Sequence, residues 1–268
     1  MVGNLVELWF YIQFSQGGTF GRNKVALSDQ PVKTVGAKYR GGKVVPLTRI
    51  QKLIGRRMCA SKQSKPCFYV EATADVTELM ASRPKLRKSL GVKITTNAFY
   101  IRAVAMAVVK YPLMTGIGEG EIEPARVRIP DCVNVGFAVS APHGLVVPVI
   151  KSANEKSLAK IASLEKELTD KARDNELTLD EMEGETIALS NLGAYGIDSF
   201  IGIIPPPTSS IVAVGNVVNK IIPRDGGPVA RKVVSLTVAA DHKIINGRYA
   251  AEFLSLIREQ LEDSEQLL

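Results

Sequence analysis

Four stretches of the chain carry apolar residues at the three- and four-residue spacing of an amphipathic helix. Thr48 stands where it could cap the first stretch, and Pro112 ends the second. The patterns therefore predict helices over Leu47–Ser61, Asn97–Val109, Leu158–Ala172 and Tyr249–Leu261.

Between these helices lie runs rich in β-branched residues, which are typical of strands. Two of the runs are joined by the short turn Pro142-His143-Gly144, which predicts a hairpin. Helices mixed with strands that hairpin-length turns connect favour an α+β sandwich of helices on a mixed sheet. The predicted strands are Phe68–Val76, Val133–Val139, Leu145–Ile150, Thr186–Leu189, Ile211–Val218 and Val233–Ala239.

Residues 1–42 differ from the rest of the chain because glycines and a proline interrupt them and no hydrophobic period is sustained. This pattern predicts a disordered tail or linker over residues 1–42, followed by one domain over residues 43–268. No apolar run reaches the ~18 residues that a membrane span needs. Three cysteines without metal-ligand spacing predict unpaired thiols in a reducing compartment and no metal site, so we expect a cytoplasmic protein.

The charge is distributed unevenly, since residues 41–112 carry a net +11 within a total of +7. Such a basic segment could contact nucleic acid, a membrane surface or a phosphorylated ligand. No nucleic-acid-binding motif accompanies it, so we expect neither nucleic acid nor membrane as a partner. A polyphosphate ligand suits the charge, and a solvated basic face remains the alternative.

The segment with the clearest chemistry lies near the C-terminus, where His242 follows a β-branched run and Gly247 follows a predicted turn. A histidine at the end of a rigid strand is suited to general-base catalysis. The alternative is a histidine packed near a surface turn. His143, the other histidine, lies between Pro142 and Gly144, which already explain a turn, so we interpret His143 as a surface residue.

Several segments together resemble the catalytic domain of the dihydrolipoyl acyltransferases of 2-oxo acid dehydrogenase complexes. The family signature is a histidine, three residues, an aspartate and a glycine, whereas this chain has Asn246 at the aspartate position. The resemblance implies a chloramphenicol acetyltransferase-like α+β fold. The other matching segments are Pro46–Met58, Pro66–Val70, Asn134–Val139, Gly144–Ile150 and Thr186–Gly193.

The resemblance implies that the chain moves an acyl group between a dihydrolipoyl thiol and coenzyme A. His242 would be the general base and Ser190 the oxyanion donor. Asn246 would anchor the loop that connects His242 to the last helix. A serine that merely occupies a turn before Gly193 is the alternative for Ser190. Because the aspartate is missing, we expect reduced activity, which Asn246→Asp would raise or at least preserve. The positions that contact coenzyme A in relatives correspond here to Arg83, near the start of a helix, and to Thr95, Asn191 and Gly215.

The resemblance also implies a homotrimer or a larger core built from trimers, with each active site shared across a subunit boundary. Leu267 and Leu268 are candidates for an apolar anchor between subunits. The lipoyl group would come from a lipoyl-bearing domain on another chain, and a 2-oxo acid decarboxylase is a possible partner. In a eukaryote the compartment would be the mitochondrial matrix. Two alternatives remain: a catalytically weakened scaffold, and an acyltransferase for another acceptor.

Overall fold

A six-stranded mixed sheet organises the part of the chain that the structure describes. The structure is a computed structural model that describes residues 43–120, 126–142, 144–224 and 226–268. The sheet has the strand order β1-β10-β9-β8-β4-β7, with β8 parallel to β9 and to β4 and the other neighbours antiparallel. Its strands are β1 (Cys67–Asp75), β4 (Val135–Phe137), β7 (Val149–Ile150), β8 (Ile187–Asn191), β9 (Ser210–Arg224) and β10 (Gly227–Asp241).

Two smaller antiparallel pairs flank this sheet. One joins β2 (Ile117–Glu119) to β3 (Arg126–Arg128), and the other joins β5 (Val139–Ala141) to β6 (Gly144–Val146). The predicted run Leu145–Ile150 is therefore divided between two sheets. Pro148 lies at the division, where a residue without an N–H cannot donate to a ladder.

Five α-helices are described, and side-chain caps begin four of them. Thr48 and Gln51 form a reciprocal capping box at α1, Thr95 caps α3, Ser157 caps α4, and Asn246 caps α5. The helices are α1 (Arg49–Ser64), α2 (Thr77–Leu90), α3 (Thr96–Lys110), α4 (Leu158–Asp174) and α5 (Gly247–Glu262).

The core lies between the helices and one face of the sheet. α3 is its centre, since most of its side chains are buried and it packs against both α4 and α5. α5 in turn packs on β1 and β10. Burial of apolar surface of this extent is the main stabilising contribution to a fold of this size. The prediction of an α+β sandwich with a mixed sheet is confirmed.

Two differences from the sequence predictions concern the positions of single residues. Arg83 was expected near the start of a helix, but it is the seventh residue of α2 and is followed there by Pro84. Leu267 was expected as an anchor between subunits, but it is fully buried in the chain's own core, and only Leu268 is exposed. The tail or linker predicted for residues 1–42 and the turn residue His143 lie outside the described residues. No helix in the described ranges has both the length and the apolar character that crossing a membrane requires.

Candidate active site

His242 lies in a tight turn directly after the last residue of β10. Its backbone N–H donates to the Pro66 carbonyl at 2.9 Å, just before β1 begins. Its ring lies against Phe68 with centroids 4.5 Å apart and planes tilted by 51°. The residue is exposed. The sheet therefore holds an accessible imidazole at a fixed strand end, which is the placement that a base acting on an external thiol needs.

Asn246 ends the same turn and begins α5. Its side chain is the N-cap of the helix, with Oδ1 accepting the Tyr249 N–H at 2.9 Å. The residue is exposed. The structure therefore makes Asn246 the N-cap of α5, and its role as the anchor of a catalytic loop stays a prediction.

The cap gives a stability prediction for position 246. Asn246→Ala should lower the free energy of unfolding by ~1 kcal/mol because one helix-terminal N–H loses its acceptor. Asn246→Asp keeps an acceptor and places a negative charge at the positive end of the helix, so its stability should stay within ~0.5 kcal/mol of wild type or exceed it. Urea unfolding followed by circular dichroism measures both. Equal stability of the alanine and aspartate variants would contradict the capping role.

Ser190 lies one residue before the end of β8, where it pairs with Ala213 of β9. The following residue, Asn191, turns the chain, since its Oδ1 accepts the Gly193 N–H at 2.9 Å. The serine is half-buried. Its hydroxyl is thus placed at a strand end beside a sharp turn, as the sequence predicts.

The sheet register separates Ser190 from His242 within one chain. Ser190 pairs with Ala213, and Ala213 pairs with Thr237 of β10, whereas His242 lies five residues beyond Thr237. The rise along a strand and the spacing between strands place the two residues roughly 19 Å apart. A base and an oxyanion donor at this distance cannot act on one tetrahedral intermediate.

A cleft of about 480 Å³ lies between α2, α3, α4, the end of β8 and the middle of β9. Its walls include three of the four residues predicted to contact coenzyme A, namely Arg83, Asn191 and Gly215. Neither His242 nor Ser190 is among the lining residues. The volume falls in the ordinary range for small-ligand sites.

Arg83 and Gly215 shape this cleft through contacts with the backbone. The Arg83 Nε and Nη2 both donate to the Ile94 carbonyl at 3.1 Å, which ties α2 to the segment before α3. At Gly215 an added Cβ would lie 1.8 Å from the Asp198 carbonyl oxygen. The glycine is therefore required by the close approach of residues 197–198 to β9.

Thr95 does not line the cleft, but it hydrogen-bonds to Glu165, which does. Its hydroxyl accepts the Ala98 N–H at 3.0 Å and donates to Glu165 Oε2 at 2.8 Å. Glu165 is buried and lines the cleft. Burial raises the pKa of the Glu165 carboxyl, while the hydrogen bonds from Thr95 and Asn97 and the charge of Arg173 act in the opposite direction.

Glu165 and Arg173 are functional candidates that the sequence analysis missed. Both line the cleft, and a carboxyl group with a perturbed pKa in a cleft is typical of functional sites. One sequence signal could have identified Glu165: it lies four residues after Ile161 and three before Leu168, on the apolar stripe of α4. A glutamate on such a stripe is buried when the helix packs.

One of the three cysteines lies near His242, because Cys67 pairs across the sheet with Asp241, the residue before it. Cys59 and Cys132 are exposed, Cys67 is half-buried, and all three are unpaired. Across the described ranges, no group of three or more histidine, cysteine or acidic side chains is placed to hold a metal ion.

Comparison with known families gives a match over most of the chain. Residues 39–268 match the family model of the 2-oxoacid dehydrogenases acyltransferase catalytic domain. A curated relative is the dihydrolipoyllysine-residue acetyltransferase component of the pyruvate dehydrogenase complex of Rickettsia felis, 35% identical over 230 residues. That alignment covers 84% of this chain and 55% of the relative, so the chain spans about half the length of that protein.

Solved structures show the same fold. The dihydrolipoamide acetyltransferase of Azotobacter vinelandii, studied for the roles of a serine, a histidine and an asparagine in its catalytic mechanism, superposes with a TM-score of 0.81. It is 29% identical, with 89% of this chain and 98% of that chain covered. The cubic core of a pyruvate dehydrogenase multienzyme complex gives the same TM-score, identity and coverage.

Proposed function

The chain belongs to the family of 2-oxoacid dehydrogenase acyltransferase catalytic domains, and from that premise we propose that it transfers an acyl group between a dihydrolipoyl thiol and coenzyme A. One observation carries the assignment of residues. In the Azotobacter enzyme the histidine follows the serine by 52 positions and the asparagine follows the histidine by four. Ser190, His242 and Asn246 have the same two spacings.

In this mechanism His242 is the general base. It takes the proton from the coenzyme A thiol, and the resulting thiolate attacks the carbonyl carbon of the acyl-dihydrolipoyl thioester. The Ser190 hydroxyl donates a hydrogen bond to the oxyanion of the tetrahedral intermediate. The intermediate then collapses, the carbon–sulfur bond to the dihydrolipoyl group breaks, and the imidazolium returns its proton to the departing sulfur.

The separation of base and donor supports a site shared between two chains. Because about 19 Å divides Ser190 from His242 in one chain, the His242 of one subunit would act with the Ser190 of the next. A repeated contact of this kind closes into a ring, and a homotrimer is the ring that we propose. The cubic core among the structural relatives supports larger assemblies of such rings.

The cleft beside Ser190 is the proposed binding region for coenzyme A. Asn191 connects it directly to the serine, and the guanidinium groups of Arg83 and Arg173 on its walls suit phosphate oxygens. Buried Glu165 suits a hydrogen-bond donor of the ligand instead. A lipoyl-bearing domain on another chain and a 2-oxo acid decarboxylase are the protein partners that we propose.

Asn246 belongs to the proposed site as it stands. The expectation of reduced activity rested on the aspartate of the family signature. In the Azotobacter enzyme an asparagine with the same spacing was studied for its role in the catalytic mechanism. An active enzyme is therefore favoured over a catalytically weakened scaffold.

A thioester-transfer assay tests the proposal against both alternatives. The purified protein is given acetyl-, succinyl- and branched acyl-coenzyme A in turn, each with dihydrolipoamide or with an alcohol or amine acceptor. We expect turnover with dihydrolipoamide that exceeds turnover with the other acceptors by at least ~100-fold, the range that a positioned base supplies. Turnover only with an alcohol or amine would support the other-acceptor reading, and no turnover in any arm would support the scaffold.

A further inference from the structure

The turn that carries His242 is built around the residue before it. Asp241 is the last residue of β10 and is only 2% exposed. Its backbone N–H donates to the Ser209 carbonyl at 2.9 Å, and its carbonyl accepts the N–H groups of Ile244 and Ile245 at 3.1 and 3.0 Å. Its carboxylate Oδ1 accepts the Lys243 N–H at 3.1 Å. Both the backbone and the side chain of Asp241 therefore hold the turn.

Two lysines surround the other carboxylate oxygen. Asp241 Oδ2 lies 3.9 Å from the Nζ atoms of Lys65 and of Lys243. Lys243 Nζ also donates to the Ser64 carbonyl at 2.6 Å, at the end of α1. Together with the bond from His242 to Pro66, these contacts hold the turn against the connection between α1 and β1.

These charges interact inside the protein rather than in bulk water. Burial lowers the pKa of Lys65, and the charge of Asp241 opposes that effect. A buried carboxylate that loses its cations, or cations that lose the carboxylate, are left uncompensated at high cost. The carboxylate and the two lysines therefore stabilise one another. Salt screens their charges less than it screens those of a surface pair.

We propose that Asp241, held between Lys65 and Lys243, is the positioning residue of the turn that carries His242. This inference rests on the proposed function for the role of His242. It assigns the shape of the turn to the buried carboxylate at position 241, whereas Asn246 secures only the start of α5.

The proposal predicts that the carboxylate and its two cations hold the turn together. Asp241→Asn leaves Lys65 and Lys243 without the carboxylate, and Lys65→Gln or Lys243→Gln removes one of its two cations. Each change should therefore loosen the turn and misplace the His242 side chain.

The test measures amide hydrogen exchange over the turn by mass spectrometry of the whole chain. The amides of Lys243, Ile244 and Ile245 donate to Asp241, so their exchange reports directly on the turn. We expect them to exchange about tenfold faster or more in Asp241→Asn, and faster by a smaller factor in Lys65→Gln and Lys243→Gln. Lys166→Gln, a charge removal on α4, should leave the exchange of the turn unchanged.

Activity provides a second readout. Asp241→Asn should lower kcat about tenfold, with the KM for coenzyme A within about twofold, because the base is misplaced while the ligand cleft is intact. The inference is overturned if exchange over the turn is unchanged in all three variants, or if a folded Asp241→Asn protein keeps a kcat within twofold of wild type while the other catalytic variants lose activity. If Asp241→Asn does not fold, the two lysine variants decide alone. The exchange rates remain interpretable even if His242 proves not to be the base, so the two failures are distinguishable.

Discussion

The His242→Ala protein is expected to transfer acyl groups at least ~100-fold more slowly than the wild type, since the attacking thiol loses its general base. The rate is measured with acyl-coenzyme A and dihydrolipoamide at saturating concentrations. The loss should be smaller at high pH, where free thiolate forms without a base. His143→Ala is the matched control and should retain near-wild-type turnover.

This result bears directly on the assignment of the base. Near-wild-type turnover of His242→Ala would show that another group accepts the thiol proton. Loss in both histidine variants would show that His143 has a part in the site, against the interpretation of the Pro142-His143-Gly144 turn.

The Ser190→Ala protein is expected to lose ~10²–10³ in kcat, the usual cost of one oxyanion donor. The KM values for both thiols should change little, because the hydrogen bond forms in the transition state and not with the bound substrates. Ser89→Ala is the matched control, since Ser89 is an exposed serine whose hydroxyl donates to the Leu86 carbonyl.

Two outcomes would contradict the role of Ser190 as the oxyanion donor. A rise in KM with unchanged kcat would make Ser190 a binding residue. A loss of folded protein in Ser190→Ala, visible by circular dichroism, would make its role structural.

Local sequence signals predicted the elements whose cause is local. Thr48, Thr95 and Ser157 cap helices because a hydroxyl at that position satisfies an N–H two or three residues away. α2 gave no comparable signal, because Leu79 is its one buried residue and Pro84 lies inside it. β9 and β10 are longer than predicted. The sequence did not reveal the joined ends of these two strands because their residues are mostly exposed and show no apolar alternation.

The candidate site shows the same division. The sequence indicates His242 and Ser190 as candidates because each stands where a strand ends and a turn follows, and because the resemblance implies their roles. It gives no sign of Asp241, because the contact of that carboxylate with Lys65 joins residues 176 positions apart. The distance between His242 and Ser190 also depends on strand register across β8, β9 and β10, which no local pattern specifies.

The central claim is that one active site combines the His242 of one chain with the Ser190 of another, and co-expression of two inactive variants tests it most directly. His242→Ala and Ser190→Ala chains, carrying different tags, are produced together in equal amounts and the mixed assemblies are assayed. In a ring of randomly mixed subunits, about one quarter of the sites would pair an intact histidine with an intact serine. The account predicts activity near that fraction of wild type, whereas activity no higher than that of the separate variants would contradict it.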